Sequence, residues 1–157
     1  MVELTEAFVS ALTSAQIRAL AARPAALSPR LKQSAVAVGV EALESAPGGF
    51  SAYLGIREGR ELYGMRLHAT IRMDVLSPTA QGAQACRSEL DRVRAALEQG
   101  VEGVSLLSLT AHEPEYDPTE DCFRAYVVAD CRCWLCAEAD PDDPAVLTHF
   151  ILKGALT

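Results

Sequence analysis

Between Leu62 and Leu76 the chain reads LYGMRLHATIRMDVL, and two classes of residue alternate through it without a break. Tyr63, Met65, Leu67, Ala69, Ile71, Met73 and Val75 share one parity; Gly64, Arg66, His68, Thr70, Arg72 and Asp74 share the other. Successive side chains of a strand point to opposite faces, so period two over this length requires a long strand with one face buried and one wet. The rest of the chain has to cover the apolar face.

Two segments have the helical spacing to do so. Leu4, Phe8, Ala11 and Leu12 form a stripe with Glu3 and Glu6 near the positive end of the helix dipole, and the pattern predicts a helix over 2–20, ended by Pro24 and Pro29. RPAALSPRLKQS then reads as a connecting loop. A second helix is predicted over 78–99, with Ser77 as its cap, Pro78 at its first position and Gly100 in the left-handed turn after it. Ala83, Cys86, Leu90, Val93 and Leu97 make its buried stripe, while Arg87, Glu89, Asp91, Arg92 and Arg94 fall on the solvated side.

The remaining apolar runs read as strands. AVAVGVEAL predicts a buried strand over 35–43, and the long strand covers 62–76. Between them, 44–61 reads as a long glycine-rich loop bearing Phe50, Tyr53, Leu54 and Ile56. Strands over 104–113, 122–136 and 145–153 close the chain as a meander, with turns at EYDPTED and EADPDDP. The 157 residues suit a single domain over 1–157. The expected fold is α+β: a mostly antiparallel sheet of four to five strands with two helices packed on one face.

Charge and leader signals narrow the function. A formal net charge of −7 argues against a broad nucleic-acid face, which needs clustered Lys and Arg. No apolar run approaches the ~20 residues that cross a bilayer, and MVELTEAFVSAL lacks the basic start of a signal peptide. Five cysteines without an export signal predict free thiols in a protein made in the reducing cytoplasm.

Three of those cysteines crowd into CRCWLC, around the only tryptophan. Alternation from Cys122 places Phe123, Ala125, Val127, Ala129, Cys131, Cys133 and Leu135 on one apolar face, so Cys131 and Cys133 read as small core residues. Cys136 falls on the opposite face, and Cys86 belongs to the helical stripe. Cys133 and Cys136 have the spacing of a zinc knuckle without its turn, and His149 would complete a ligand set only from an adjacent strand.

No constellation for catalysis stands out. His68 lies between Arg66 and Thr70 with no nucleophile placed by spacing, His112 sits beside Glu113 and Glu115, and DPDD (140–143) lacks the ligand spacing of a calcium loop. There is no phosphate-cradling loop or nucleophile elbow. The reading is a non-enzymatic protein with no cofactor and no metal.

One surface asks for a partner. The second face of the Cys122–Cys136 strand carries Arg124, Tyr126, Val128, Asp130, Arg132 and Trp134, the aromatic and arginine mixture found in interfaces. Either the Phe50–Ile56 segment folds over it or another subunit covers it.

The order of a leading helix, a long hairpin, GRELYGMRLHATIRMDVLSP running into an amphipathic helix, and EYDPTEDCFRAYVVADCRCWL resembles small tail proteins of long-tailed phages and prophages, closest to the tail-terminator and tail-completion group. The resemblance spans roughly Val2 to Lys153 and includes no catalytic motif. It implies a ring, commonly hexameric, that caps the tail tube, with other tail proteins as partners and the virion tail as destination. Tail proteins need no cysteines, and there this chain departs from them. On this reading Arg124, Tyr126, Arg132, Trp134, Phe50 and Tyr53 form subunit contacts, while Arg66, His68 and Arg72 face a partner or a lumen. Direct nucleic-acid or membrane binding is not expected. The alternatives are a small-ligand-binding or regulatory domain closed by the long loop, and a zinc protein using Cys133, Cys136 and His149.

Overall fold

The computed structural model describes residues 2–21 and 31–154. Of the connecting loop expected over 23–34, residues 23–30 lie outside them. Helix α1 (Val2–Ser14) leads to strand β1 (Ala19–Ala21), then β2 (Ala35–Ser45), β3 (Ala52–Arg57) and β4 (Arg60–Pro78). A short 3-10 turn (Thr79–Gln81) precedes α2 (Gly82–Glu98), and β5 (Ser105–Asp117), β6 (Cys122–Ala139) and β7 (Leu147–Lys153) follow.

These strands form one seven-stranded mixed sheet ordered β1-β2-β4-β6-β5, with β3 also on β4 and β7 also on β6. The expectation of four to five strands is therefore an undercount, and β1 pairs with β2 in parallel. Both extra strands hide behind local chemistry. The helix expected to run to 20 stops at Ser14 because the chain turns left-handed at Gln16, whose φ is 60°. Gln16 N–H donates to Thr13 O and Ile17 N–H to Leu12 O, the paired bonds of a Schellman stop, here without its usual glycine. Ile17 is then buried, and Ala19–Ala21 is free to join the sheet.

The loop expected over 44–61 is largely a hairpin. Arg57 pairs with Arg60 across a two-residue turn in which Glu58 and Gly59 have φ of 53° and 79°. Positive φ at both central residues is the type I′ geometry that matches strand twist. The resulting β4 is 19 residues long, roughly 60 Å at the usual rise. At 17 residues α2 reaches only about 25 Å, so the end of the sheet made by β3, β4, β6 and β7 runs on as an arm.

Helical cover comes from one side. Leu4, Phe8 and Leu12 of α1 and Cys86, Leu90, Val93 and Leu97 of α2 join Ala69, Ile71, Met73 and Val75 of β4 and Ala125, Val127, Ala129, Cys131 and Cys133 of β6 in one buried cluster. The start of α2 differs from expectation. Ser77 does not cap it: Ser77 is buried in β4, its hydroxyl 2.7 Å from that of Ser34, and Pro78 ends the strand. Ala83 is exposed, one turn outside the stripe. Glu89, expected in solvent, is buried and accepts from Arg92, which also donates to Ala15 O and Gln16 O and so ties α2 to the end of α1. Among the described residues no helix is long and apolar enough to cross a membrane.

Candidate functional site

Residues directly opposite in an antiparallel ladder share a face, so the register of β4 with β6 maps the side turned away from the helices. Three rows are built first: Leu76 opposite Arg124, Asp74 opposite Tyr126, and Arg72 opposite Val128. Strand β5 adds His112 beside Tyr126 and Glu115 beside Arg124.

Asp74 is the electrostatic centre of these rows. Its side chain is 5% exposed and receives Arg72 Nε and Nη2 at 3.1–3.2 Å and Arg124 Nε and Nη2 at 2.9 Å. Hydrogen bonding to Asp74 holds the Arg72 guanidinium above its ordinary pKa, against the opposing effect of burial. The Arg72 guanidinium also lies 4.0 Å from the Tyr126 ring centroid, and His112 stacks on Tyr126 at 4.2 Å and 17°. Arg124 Nη1 comes within 3.7 Å of Asp117. A cavity of about 410 Å³ opens over this cluster, rimmed also by Glu113, Glu115, Tyr116 and Pro118. Arg72, Arg124 and Tyr126 thus have their charges and ring faces engaged within the chain.

Further along, Asp130 accepts from Thr70 Oγ1 at 2.9 Å and Ser108 Oγ at 3.0 Å. Beyond it the face changes character. His68 stands opposite Arg132, with Glu44 at 4.0 Å from its Nδ1, and Arg66, Trp134 and Lys153 form the next row. Arg66 and Arg132 are exposed and Lys153 is half-buried. None of the three has an ion-pair partner among the described residues, whereas Arg60, Arg72, Arg87, Arg92, Arg94 and Arg124 each have one. Gly64 sits beside Trp134, and a Cβ there would lie 3.1 Å from Trp134 Cε3 and 2.7 Å from Leu54 Cδ1. Leu54 therefore reaches over Gly64 to the indole. The chain's own 50–56 segment touches this face at the Trp134 end; Arg66 and Arg132 stay open.

Phe50 and Tyr53 lie on the arm. Phe50 packs on Phe150 of β7 with centroids 5.5 Å apart, and Tyr53 meets Tyr63 edge-on at 5.6 Å. The outer members are strongly exposed: Ile56 at 70%, Tyr53 at 55% and Phe150 at 48%.

All five cysteines are free and buried. Burial pushes the Cys131 thiol up to about 12 and the Cys133 thiol up to about 11. Cys131 Sγ donates to Ala69 O at 3.3 Å. Cys133 lies in the helix-side core and Cys136 on the opposite face. His149 is exposed at the bulge of β7, with φ of 49°. The three do not converge, and no group of metal-ligating side chains is assembled among the described residues.

No protein-family model matches the chain, and no curated protein does.

Sequence reasoning brought Arg124, Tyr126, Arg132, Trp134, Arg66, His68 and Arg72 to one face. It missed that Asp74 and His112 engage three of these, and it missed Lys153 and Phe150. Only the register of β6 with β4, β5 and β7 reveals those neighbours, and no short motif encodes register.

Proposed function

We propose that the chain is a structural protein that self-associates and docks on other proteins. Its specific form would be a ring-forming tail terminator or completion protein of a phage or prophage tail, working in the virion tail. The observation that carries this reading is the arm, where Tyr53, Ile56 and Phe150 are each about half exposed or more. Isolated apolar residues on a surface need no explanation, but a cluster at one end of a sheet is the kind of patch that a partner covers. At about 25 cal/mol per Å² of apolar area, covering such side chains favours association by several kcal/mol before the entropy of docking is subtracted. The polar sheet face beside the arm would set orientation, since charged rims govern specificity more than affinity.

A second reading has one observation in its favour. The 410 Å³ cavity over Arg72, His112 and Tyr126 is large enough for a small ligand. The two separate in electron micrographs of concentrated protein and a thermal-shift screen. Ring-shaped particles favour assembly; uniformly small particles, with a compound that raises the melting temperature, favour ligand binding.

A further inference from the structure

The chain carries a formal charge of −7, yet three of its unpaired cations meet in one patch. Arg66 and Lys153 flank Trp134 in a single row, and Arg132 stands in the next with His68. Neighbouring strands are about 4.8 Å apart, so the patch spans roughly 10 Å across the sheet. Two carboxylates border the patch on this face: Glu44 lies 4.0 Å from His68 Nδ1, and Asp130 is taken by Thr70 and Ser108; neither makes an ion pair with Arg66, Arg132 or Lys153. Like charges held together on a surface repel each other unless an anion answers them.

The same molecule presents an anionic complement on its other side. Between α1 and the turn after α2 lies a groove of about 490 Å³. Ala7, Ser10, Ala11 and Leu152 line it, and Glu3, Glu6 and Glu102 stand around it. These three carboxylates are exposed and have no ion-pair partner among the described residues. Leu152 and Lys153 are adjacent in β7, so one strand borders the groove on the helix side and the cationic patch on the other. The two surfaces lie back to back across the sheet.

We infer that copies of this chain join head to tail, the Arg66–Arg132–Lys153 patch around Trp134 of one copy docking into the Glu3–Glu6–Glu102 groove of the next. The occupant is a second copy because its groove matches the patch in charge, three carboxylates to three cations. Surfaces on opposite sides of one subunit cannot satisfy each other in a two-fold pair. They make a heterologous contact that repeats, and it closes into a ring when the rotation between subunits allows. The inference rests on the assembly reading and names its surfaces.

Charge reversal tests it. Arg132→Glu with Lys153→Glu reverses the patch, and Glu6→Lys with Glu102→Lys reverses the groove. All four sites are at the surface, and a circular-dichroism melt checks that each variant folds. At a concentration where the wild type associates, each variant alone is expected to run at the single-chain mass, its association at least tenfold weaker. An equimolar mixture is expected to recover the wild-type mass, because reversed patch then meets reversed groove. Should reversal unfold a variant, Arg132→Gln with Lys153→Gln keeps the test open, with association at least threefold weaker expected. Wild-type mass in both variants overturns this contact and leaves self-association standing, as does a mixture that fails to recover. A wild type that stays single at every concentration defeats the assembly reading itself. Binding of a single-stranded oligonucleotide that the patch reversal abolishes, with oligomer mass unchanged, assigns the patch to nucleic acid and overturns the proposal.

Discussion

Replacing Asp74 with alanine should be among the most damaging changes on the polar side of the sheet. The carboxylate is 5% exposed and is the acceptor for both Arg72 and Arg124, with five contacts between 2.9 and 3.2 Å. Removing it leaves two guanidiniums facing each other, with Asp117, 3.7 Å from Arg124, as the remaining counter-charge. Breaking a buried pair in this way costs about 3–5 kcal/mol. Each arginine side chain is 32% exposed, so water recovers part of that, and about 2–3 kcal/mol is the expected loss. For a chain of this size that lowers the melting temperature by roughly 4–12 °C. Urea unfolding of wild type and Asp74→Ala, followed by circular dichroism, measures it. Adding Arg124→Met to Asp74→Ala should restore part of the loss, since it removes one of the unpaired charges. A single-variant effect below about 0.5 kcal/mol, the range of ordinary surface changes, would refute the claim that Asp74 neutralises this face.

Two further outcomes follow from the packing. Gly64→Val should destabilise by about 1–3 kcal/mol, since even its Cβ would lie 2.7 Å from Leu54 and 3.1 Å from Trp134; an unchanged urea midpoint would contradict the close approach. The buried thiols should make stability fall in alkali. Above pH 9 the unfolded chain releases thiol protons that folded Cys131, held at about 12, retains, so stability present at pH 8 is lost as pH rises toward 12. For Cys131 alone the full loss is about 4 kcal/mol, and Cys131→Ala should flatten the decline; an identical slope in that variant would count against it.

What could be read in advance divides along physical lines. The β4 alternation and the core placement of Cys131 and Cys133 were legible because period two needs no information about neighbours. Strand β1 was not, because three residues carry no period and the stop at Gln16 lacks the glycine that announces it. Strand β3 was missed because its turn uses Glu58-Gly59 in place of the usual Asn-Gly, so a hairpin read as a loop. Of the polar face, the membership of Arg72, Arg124 and Arg132 was legible. Which of them is neutralised was not: Asp74 and Arg124 are separated by fifty residues, and register alone brings them together.

Native mass by light scattering tests the central claim most directly, taken over a concentration series with reductant present and at low and high salt. A self-associating protein with an electrostatic contact should show a species well above the single-chain 16.8 kDa as concentration rises, shifting back toward it in high salt. A constant 16.8 kDa at every concentration and salt would contradict the account.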